Sequence, residues 1–135
     1  GLVLFNRPFT IDFDVEGMAV TAAGSLSVPA EASSPLRWVA LMAGRVSCDL
    51  CASTGIHDGV AVIKQLLAGA RAVEVVSALY RAGTGQLKAM LEELSAWMDR
   101  HGFASVESFR GRLSRAASED PAAFERVQYL KRYGR

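Results

Sequence analysis

Charge of one sign is what this sequence lacks first. Its 135 residues carry 15 Lys and Arg against 14 Asp and Glu, a formal net charge of +1. No dominant basic field exists, which argues against nucleic acid as a partner. The arginines from Asp99 onward alternate with apolar residues and read as a solvated helix face. No apolar run approaches the roughly 18 residues that a membrane span needs, and no basic-apolar-small signal peptide opens the chain. Cysteine is scarce: two residues, at Cys48 and Cys51. One C-x-x-C supplies only half of a four-ligand zinc site. On a strand, residues i and i+3 face opposite ways, so these sulfurs are expected to be buried, reduced and apart. A cytoplasmic location follows. There is no internal repeat, no low-complexity segment, no Ser-His-Asp spacing and no metal-ligand cluster. Gly1 is followed directly by an apolar strand, as in a chain cut from something longer.

What is present is organised around residues 48–79. Cys48 to Ser53 has strand length, and Thr54-Gly55 breaks it. Asp58 can cap a helix whose apolar residues Ile63, Leu66, Leu67 and Ala70 fall at i, i+3, i+4 and i+7. Gly69 suits a left-handed helix stop. Ala72 to Ala78, Val and Ala with one Glu, reads as a strand covered on both faces. A strand–helix–strand unit of this length requires parallel strands and a right-handed crossover. Its functional end holds Ser53-Thr54-Gly55 and Val76-Ser77-Ala78. Each is followed by a helix N-terminus, and together they make a phosphate site.

The rest of the chain extends that alternation. Gly1 to Arg7 opens as an apolar strand that Pro8 ends, with Asn6 and Arg7 at its carboxyl end. Ile11, Phe13 and Val15 alternate with Asp12, Asp14 and Glu16, the period of a half-exposed strand. Gly17 turns the chain, and Met18 to Thr21 returns, giving an inserted ribbon. Ser25 to Val28 extends it, and Pro29 to Ser34 is a linker. Ser34-Pro35 is a helix start, with Leu36, Val39, Ala40 and Ala43 on its apolar face and Trp38 under the ribbon. Thr84 caps a helix carrying Leu87, Met90, Leu91, Leu94, Trp97 and Met98, closed by Gly102. Ser105 starts a shorter helix with Phe109 and Leu113 inward. Asp120-Pro121 starts the last, with Phe124, Val127 and Leu130 on one side. The fold class is α/β: the carboxyl-terminal portion of a (β/α)8 barrel, at about half the ~250 residues of a complete one. Residues 1–135 form one partial domain, with ribbon and linker at 8–34 and a helical extension at 104–135.

These stretches resemble a family. The chain looks like the carboxyl-terminal half of the dihydroorotate dehydrogenase-like flavoproteins. L-V-L-F-N-R is similar to the family's sixth strand. A-S-T-G-I-H-D-G-x-A-V-I-K-Q-L-L-A-G-A is similar to its seventh strand, phosphate turn and helix, and V-x-V-V-S-A-L-Y to its eighth strand and second phosphate turn. G-F-x-S-V-E-S-F-R-G-R-L-S and A-F-E-R-V-Q-Y-L-K resemble its terminal helices. The resemblance implies an oxidoreductase acting on a CH–CH bond in pyrimidine metabolism. FMN would be held by Thr54, Gly55, Val76, Ser77 and Ala78, and dihydroorotate or a related pyrimidine by Asn6. Typical members have two glycines where this chain has Thr54-Gly55, and Gly-Thr where it has Val76-Ser77. The family's catalytic base and flavin-contacting lysine lie on earlier strands, so no catalytic residue is assigned here and the chain alone is expected to be inactive.

Each candidate has a plainer reading. Gly55 can be a turn glycine and Ser77 a helix-capping serine. Asn6 can bond its own turn. Arg7 can pair with Asp12 or Asp14. His57 reads as an exposed loop histidine, His101 as a favourable charge at a helix C-terminus, and Lys64 as solvated. Two other functions stay open: a phosphate-binding barrel enzyme without flavin, and a half-barrel whose exposed edges drive self-association. A homo-oligomer is expected.

Overall fold

Two helices and a three-stranded sheet bury one apolar seam, and the rest of the chain is draped around it. The computed structural model describes residues 1–7, 11–22 and 24–125. The strands are β1 (Leu2–Leu4), β2 (Ile11–Asp14), β3 (Ala19–Ala22), β4 (Leu50–Ala52) and β5 (Ala72–Val73). β1, β4 and β5 form one parallel sheet in that order, while β2 and β3 pair as an antiparallel ribbon. Leu4 stands opposite Ala52, and Ala52 opposite Val73.

The helices are α1 (Ser33–Met42), α2 (Gly59–Ala68), α3 (Ser77–Ala82), α4 (Gly85–His101) and α5 (Ala122–Glu125). Val39 and Ala40 of α1, Leu50 and Ala52 of β4, and Ala68 and Ala70 at the end of α2 make the seam, with Leu4, Leu36 and Phe124 against it. α2 starts where its sequence says. The Asp58 side chain accepts from the Ala61 N–H, and Gly69 closes the helix with φ of 117°, a left-handed stop that glycine adopts without steric cost.

Several boundaries move, each for a physical reason. The strand expected over 72–78 pairs only at Ala72 and Val73. β4 offers it no longer ladder: Glu74 N–H reaches Ala52 O at 2.8 Å, and Val76 O then accepts from Leu79 and Tyr80 to begin α3. Cover on both faces is also not found, since Leu2, Val3 and Ala72 are exposed. α1 begins at Ser33, directly after a 3-10 turn over Pro29–Ala32, so 29–34 is helical and not a linker. Pro35 sits in the first helical turn, where its missing N–H costs no intrahelical bond.

The ribbon is exposed on both faces, not one. Its turn is held locally, Asp14 Oδ1 accepting from the Glu16 and Gly17 N–H groups, as short acidic side chains do in turns. Trp38 lies edge-on to Phe5 at 6.2 Å and is half exposed. The segment 24–28 adds no strand. The cysteines are free but not buried: Cys48 is exposed and Cys51 half-buried. β4 begins at Leu50, so Cys48 precedes the strand, and Cys51 alternates away from the face that Leu50 and Ala52 bury. Partial burial and the neighbouring Glu74 carboxylate push the Cys51 thiol pKa up.

Beyond α4, which Gly102 ends at φ of 70°, Ser105 leads only into a 3-10 turn, Val106–Ser108. Phe109 is fully buried, but Leu113 is 61% exposed. Gly111 N–H donates to Leu66 O and Leu113 N–H to Leu67 O. Carbonyls at a helix end need partners beyond the helix: Leu66 O also accepts from the capping Gly69 N–H, and Leu67 O takes Leu113. These bonds pin the backbone of 111–113 to α2 and leave the Leu113 side chain in solvent. Val127 and Leu130 lie outside the described residues. Among those residues, no helix is long and apolar enough to cross a membrane.

Candidate phosphate cleft at the carboxyl ends of the strands

The carboxyl ends of β1, β4 and β5 open into a cleft of about 210 Å³. Asn6 follows β1, Thr54 and Gly55 follow β4, and Val76 and Ser77 follow β5. All five line the cleft, so residues from three separate strands converge as the sequence implies. Ala78 does not line it: it is buried within α3. Asn6 and Thr54 also border a second, more apolar groove of about 460 Å³, walled by Phe5, Pro35 and Trp38.

The turn after β4 is unusual. Thr54 and Gly55 both have φ of 79°. Left-handed geometry is uncommon for a β-branched residue and costs of order 1 kcal/mol or more. The Thr54 hydroxyl helps hold it, donating to Phe5 O at 3.1 Å. Gly55 has a second constraint. A Cβ there would meet the Ala32 backbone nitrogen and lie 2.7 Å from Ala32 Cα. The close approach that demands glycine at this position is thus made by the 29–32 turn.

One residue at the centre was not singled out from the sequence. Ser27 is buried and bridges the two turns. Its hydroxyl accepts from the Gly55 N–H at 3.2 Å, and its own N–H donates to Ser77 Oγ at 2.8 Å. Ser77 is therefore not a helix-capping serine: Val76 occupies the cap position of α3. His57 is half-buried instead of exposed, with Nε2 at 3.4 Å from Ser27 Oγ. In the sequence Ser27 falls in Ser25 to Val28, read as an extension of the ribbon, which forms no strand.

Arg7 pairs with neither Asp12 nor Asp14. Those carboxylates bond N–H groups of their own ribbon. Arg7 Nε instead meets Glu31 Oε1 at 2.9 Å, and Nη1 donates to Gly24 O at 2.6 Å. Glu31 also accepts from Val28 N–H at 2.6 Å. The Val28 N–H is the largest influence and, with the Arg7 guanidinium, holds the Glu31 carboxyl below the usual glutamate range, although burial opposes it. A depressed carboxylate contributes stability that is present above its unfolded pKa and lost as pH falls through the folded one. Glu31→Gln is therefore expected to remove a stability loss that the wild type shows below about pH 4.5. Urea midpoints measured from pH 7 down to pH 3 check this, and parallel curves for the two proteins would refute it.

The helix N-termini contribute less than the sequence suggests. At the start of α2, Gly59 N–H donates to Glu93 Oε2 at 2.7 Å and Ala61 N–H to Asp58 Oδ1 at 2.7 Å. Two carboxylates already sit where an anion would bind, so the cleft depends on its turns and hydroxyls. Ser77 Oγ spends a lone pair on the Ser27 N–H and keeps its own proton to donate. Hydroxyls from Ser27, Ser53 and Ser77 suit a phosphate group and leave room for one, while the Arg7 guanidinium at the wall is engaged by Glu31 and Gly24. Lys64 stays in solvent, and the His101 ring packs tilted against Trp97 at 4.6 Å.

No family model matches the chain. It is similar to "Dihydroorotate dehydrogenase (fumarate)" of Lachancea kluyveri, 37% identical over 60 residues, covering 44% of this chain and 19% of that protein. Against the catalytic subunit of "Dihydroorotate dehydrogenase B (NAD(+))" of Thermoplasma acidophilum it is 26% identical over 112 residues, 81% of this chain and 37% of that one. The Thermoplasma volcanium subunit is 31% identical over 88 residues, covering 65% and 29%. The chain thus spans 19–37% of the length of these curated relatives. Among solved structures, the DHODH of Eimeria tenella in complex with ferulenol matches at TM-score 0.65 and 26% identity over 82% of this chain and 30% of that one. The ligand-free form matches at TM-score 0.57 and 26% identity over 63% and 24%.

Proposed function

We propose that this chain, dihydroorotate dehydrogenase-like in sequence and in the arrangement of its strands and helices, is the FMN-phosphate-binding part of an oxidoreductase acting on a CH–CH bond. The observation that carries this reading is the convergence of Asn6, Gly55 and Ser77 in one cleft at the carboxyl ends of β1, β4 and β5. In open or closed α/β sheets that end is where ligands bind. Residues 1–135 are then part of a (β/α)8 barrel, with the ribbon inserted after β1 and the helical extension after α4.

The roles follow from the donors. Ser77 and Ser27 would give hydroxyl hydrogen bonds to the phosphate, and the turn at Thr54-Gly55 would hold Ser27 in place through the Gly55 N–H. Val76 and Ala78 would shape the second turn. When bound, FMN supplies a hydride acceptor for the oxidation. Asn6 has both donor and acceptor atoms, which suits the edge of dihydroorotate or a related pyrimidine. By the resemblance, the base that removes the proton would come from earlier strands of the barrel. A cytoplasmic homo-oligomer completes the reading.

Ser77→Glu tests it. A carboxylate at the phosphate position repels a like charge by several kcal/mol at ~4 Å in a partly shielded site. FMN affinity of the full-length protein is expected to fall at least about tenfold, with the circular dichroism spectrum unchanged. The Glu carboxylate can still accept the Ser27 N–H, so the fold should tolerate it. Equal dissociation constants would discard the placement. A wild-type protein that binds a phosphorylated metabolite but no FMN would favour a barrel enzyme without flavin.

A further inference from the structure

We propose that Arg7 and Glu31 act together as positioning residues, clasping both ends of segment 24–28 so that Ser27 is presented to the Gly55 and Ser77 turns. The inference rests on the phosphate-cleft reading and deepens it.

The geometry is a closed loop of bonds. Arg7 Nη1 holds the carbonyl of Gly24 at 2.6 Å, where the segment begins. Glu31 Oε2 holds the N–H of Val28 at 2.6 Å, where it ends. The two side chains join each other at 2.9 Å. Between these anchors Ser27 makes its bonds to Gly55 and Ser77. Segment 24–28 has no ladder of its own, so without the clasp its backbone has few bonds to set its path. Ordering a segment's backbone costs conformational entropy, and charge-assisted hydrogen bonds, stronger than neutral ones, can offset it.

The choice of residue types fits the task. Arginine presents its donors in a planar fork, so Nε and Nη1 can reach Glu31 and Gly24 at once; a lysine offers a single point charge. Glutamate has two oxygens, and each is engaged by a different partner. Glutamine at 31 keeps the shape but offers one acceptor oxygen for two donors. Neither Arg7 nor Glu31 needs to touch the ligand for this role, because their effect passes through Ser27.

The test uses the full-length protein, titrated with FMN and separately with riboflavin, which lacks the phosphate. Glu31→Gln and Arg7→Lys are each expected to weaken FMN about tenfold while riboflavin affinity stays within about twofold. Asp12→Asn, on the exposed ribbon, should change neither. Amide hydrogen exchange without ligand gives a second measurement. The variants should exchange faster at Ser27, Val28 and Gly55 and unchanged at Leu50 to Ala52. Equal weakening of FMN and riboflavin would mean general loosening and overturn the proposal, as would unchanged FMN affinity with faster exchange. If the wild type binds both flavins equally, the phosphate cleft itself fails, and the clasp role falls with it.

Discussion

Gly55→Ala is expected to destabilise the protein by about 3 kcal/mol or more. Two costs add at this position. The left-handed φ of 79° penalises any side chain by about 1–2 kcal/mol. The new Cβ would also press on the Ala32 backbone nitrogen and sit 2.7 Å from its Cα and 2.9 Å from its Cβ. Backbone cannot swing aside as a flexible side chain can. Relief would require the 29–32 turn to move, and Glu31 with it. Gly102→Ala separates the two costs. Gly102 also has a left-handed φ, 70°, but open space where a Cβ would go. It should lose only the conformational part, about 1–2 kcal/mol. Urea denaturation of both variants, followed by tryptophan fluorescence, measures the difference. If the two midpoints shift equally, the contact with Ala32 carries no energy and the tight seat of the turn is wrong.

Phe109→Ala should cost about 3–5 kcal/mol, the usual range for a fully buried phenylalanine. Phe109 is 0% exposed. Its ring lies 5.0 Å from Trp97 and 5.2 Å from Phe103, centre to centre, distances at which aromatic pairs attract. Removing it leaves a cavity between α4 and the turn that follows, and α4 is what covers α2. Leu113→Ala is the companion measurement. Sequence periodicity puts Phe109 and Leu113 on one inward face, yet Leu113 is 61% exposed. Its truncation should change stability by no more than about 0.5 kcal/mol. Comparable losses in the two variants would show that 105–113 is a packed helix after all.

What the sequence determined by itself is local. Asp58 and Gly69 bound α2 because a capping carboxylate and a left-handed glycine act within a few residues of where they stand. The apolar spacing of Leu36, Val39 and Ala40 settles which side of α1 is buried. The alternation around Ile11 and Phe13 is enough to draw a ribbon. The order of these elements brings Asn6, Thr54, Gly55, Val76 and Ser77 to one end of a parallel sheet, because parallel strands share a carboxyl end.

Tertiary structure decided everything that depends on a partner distant in the chain. β5 is short because β4 gives it no further ladder, which residues 72–78 do not encode. Leu113 faces water because the Leu66 and Leu67 carbonyls at the end of α2 bond the backbone of Gly111 and Leu113. Arg7 chose Glu31 over the nearer Asp12 and Asp14 because those carboxylates are spent on their own ribbon. Ser27 gives no local sign of its place, since the extended reading of Ser25 to Val28 names no partner for it. It reaches the centre of the cleft because Gly55, 28 residues later, turns its N–H toward the Ser27 hydroxyl, and Ser77, 50 residues later, accepts the Ser27 N–H. Hydrogen bonds of this kind are set by the packing of whole elements, and no window of sequence contains both ends of them.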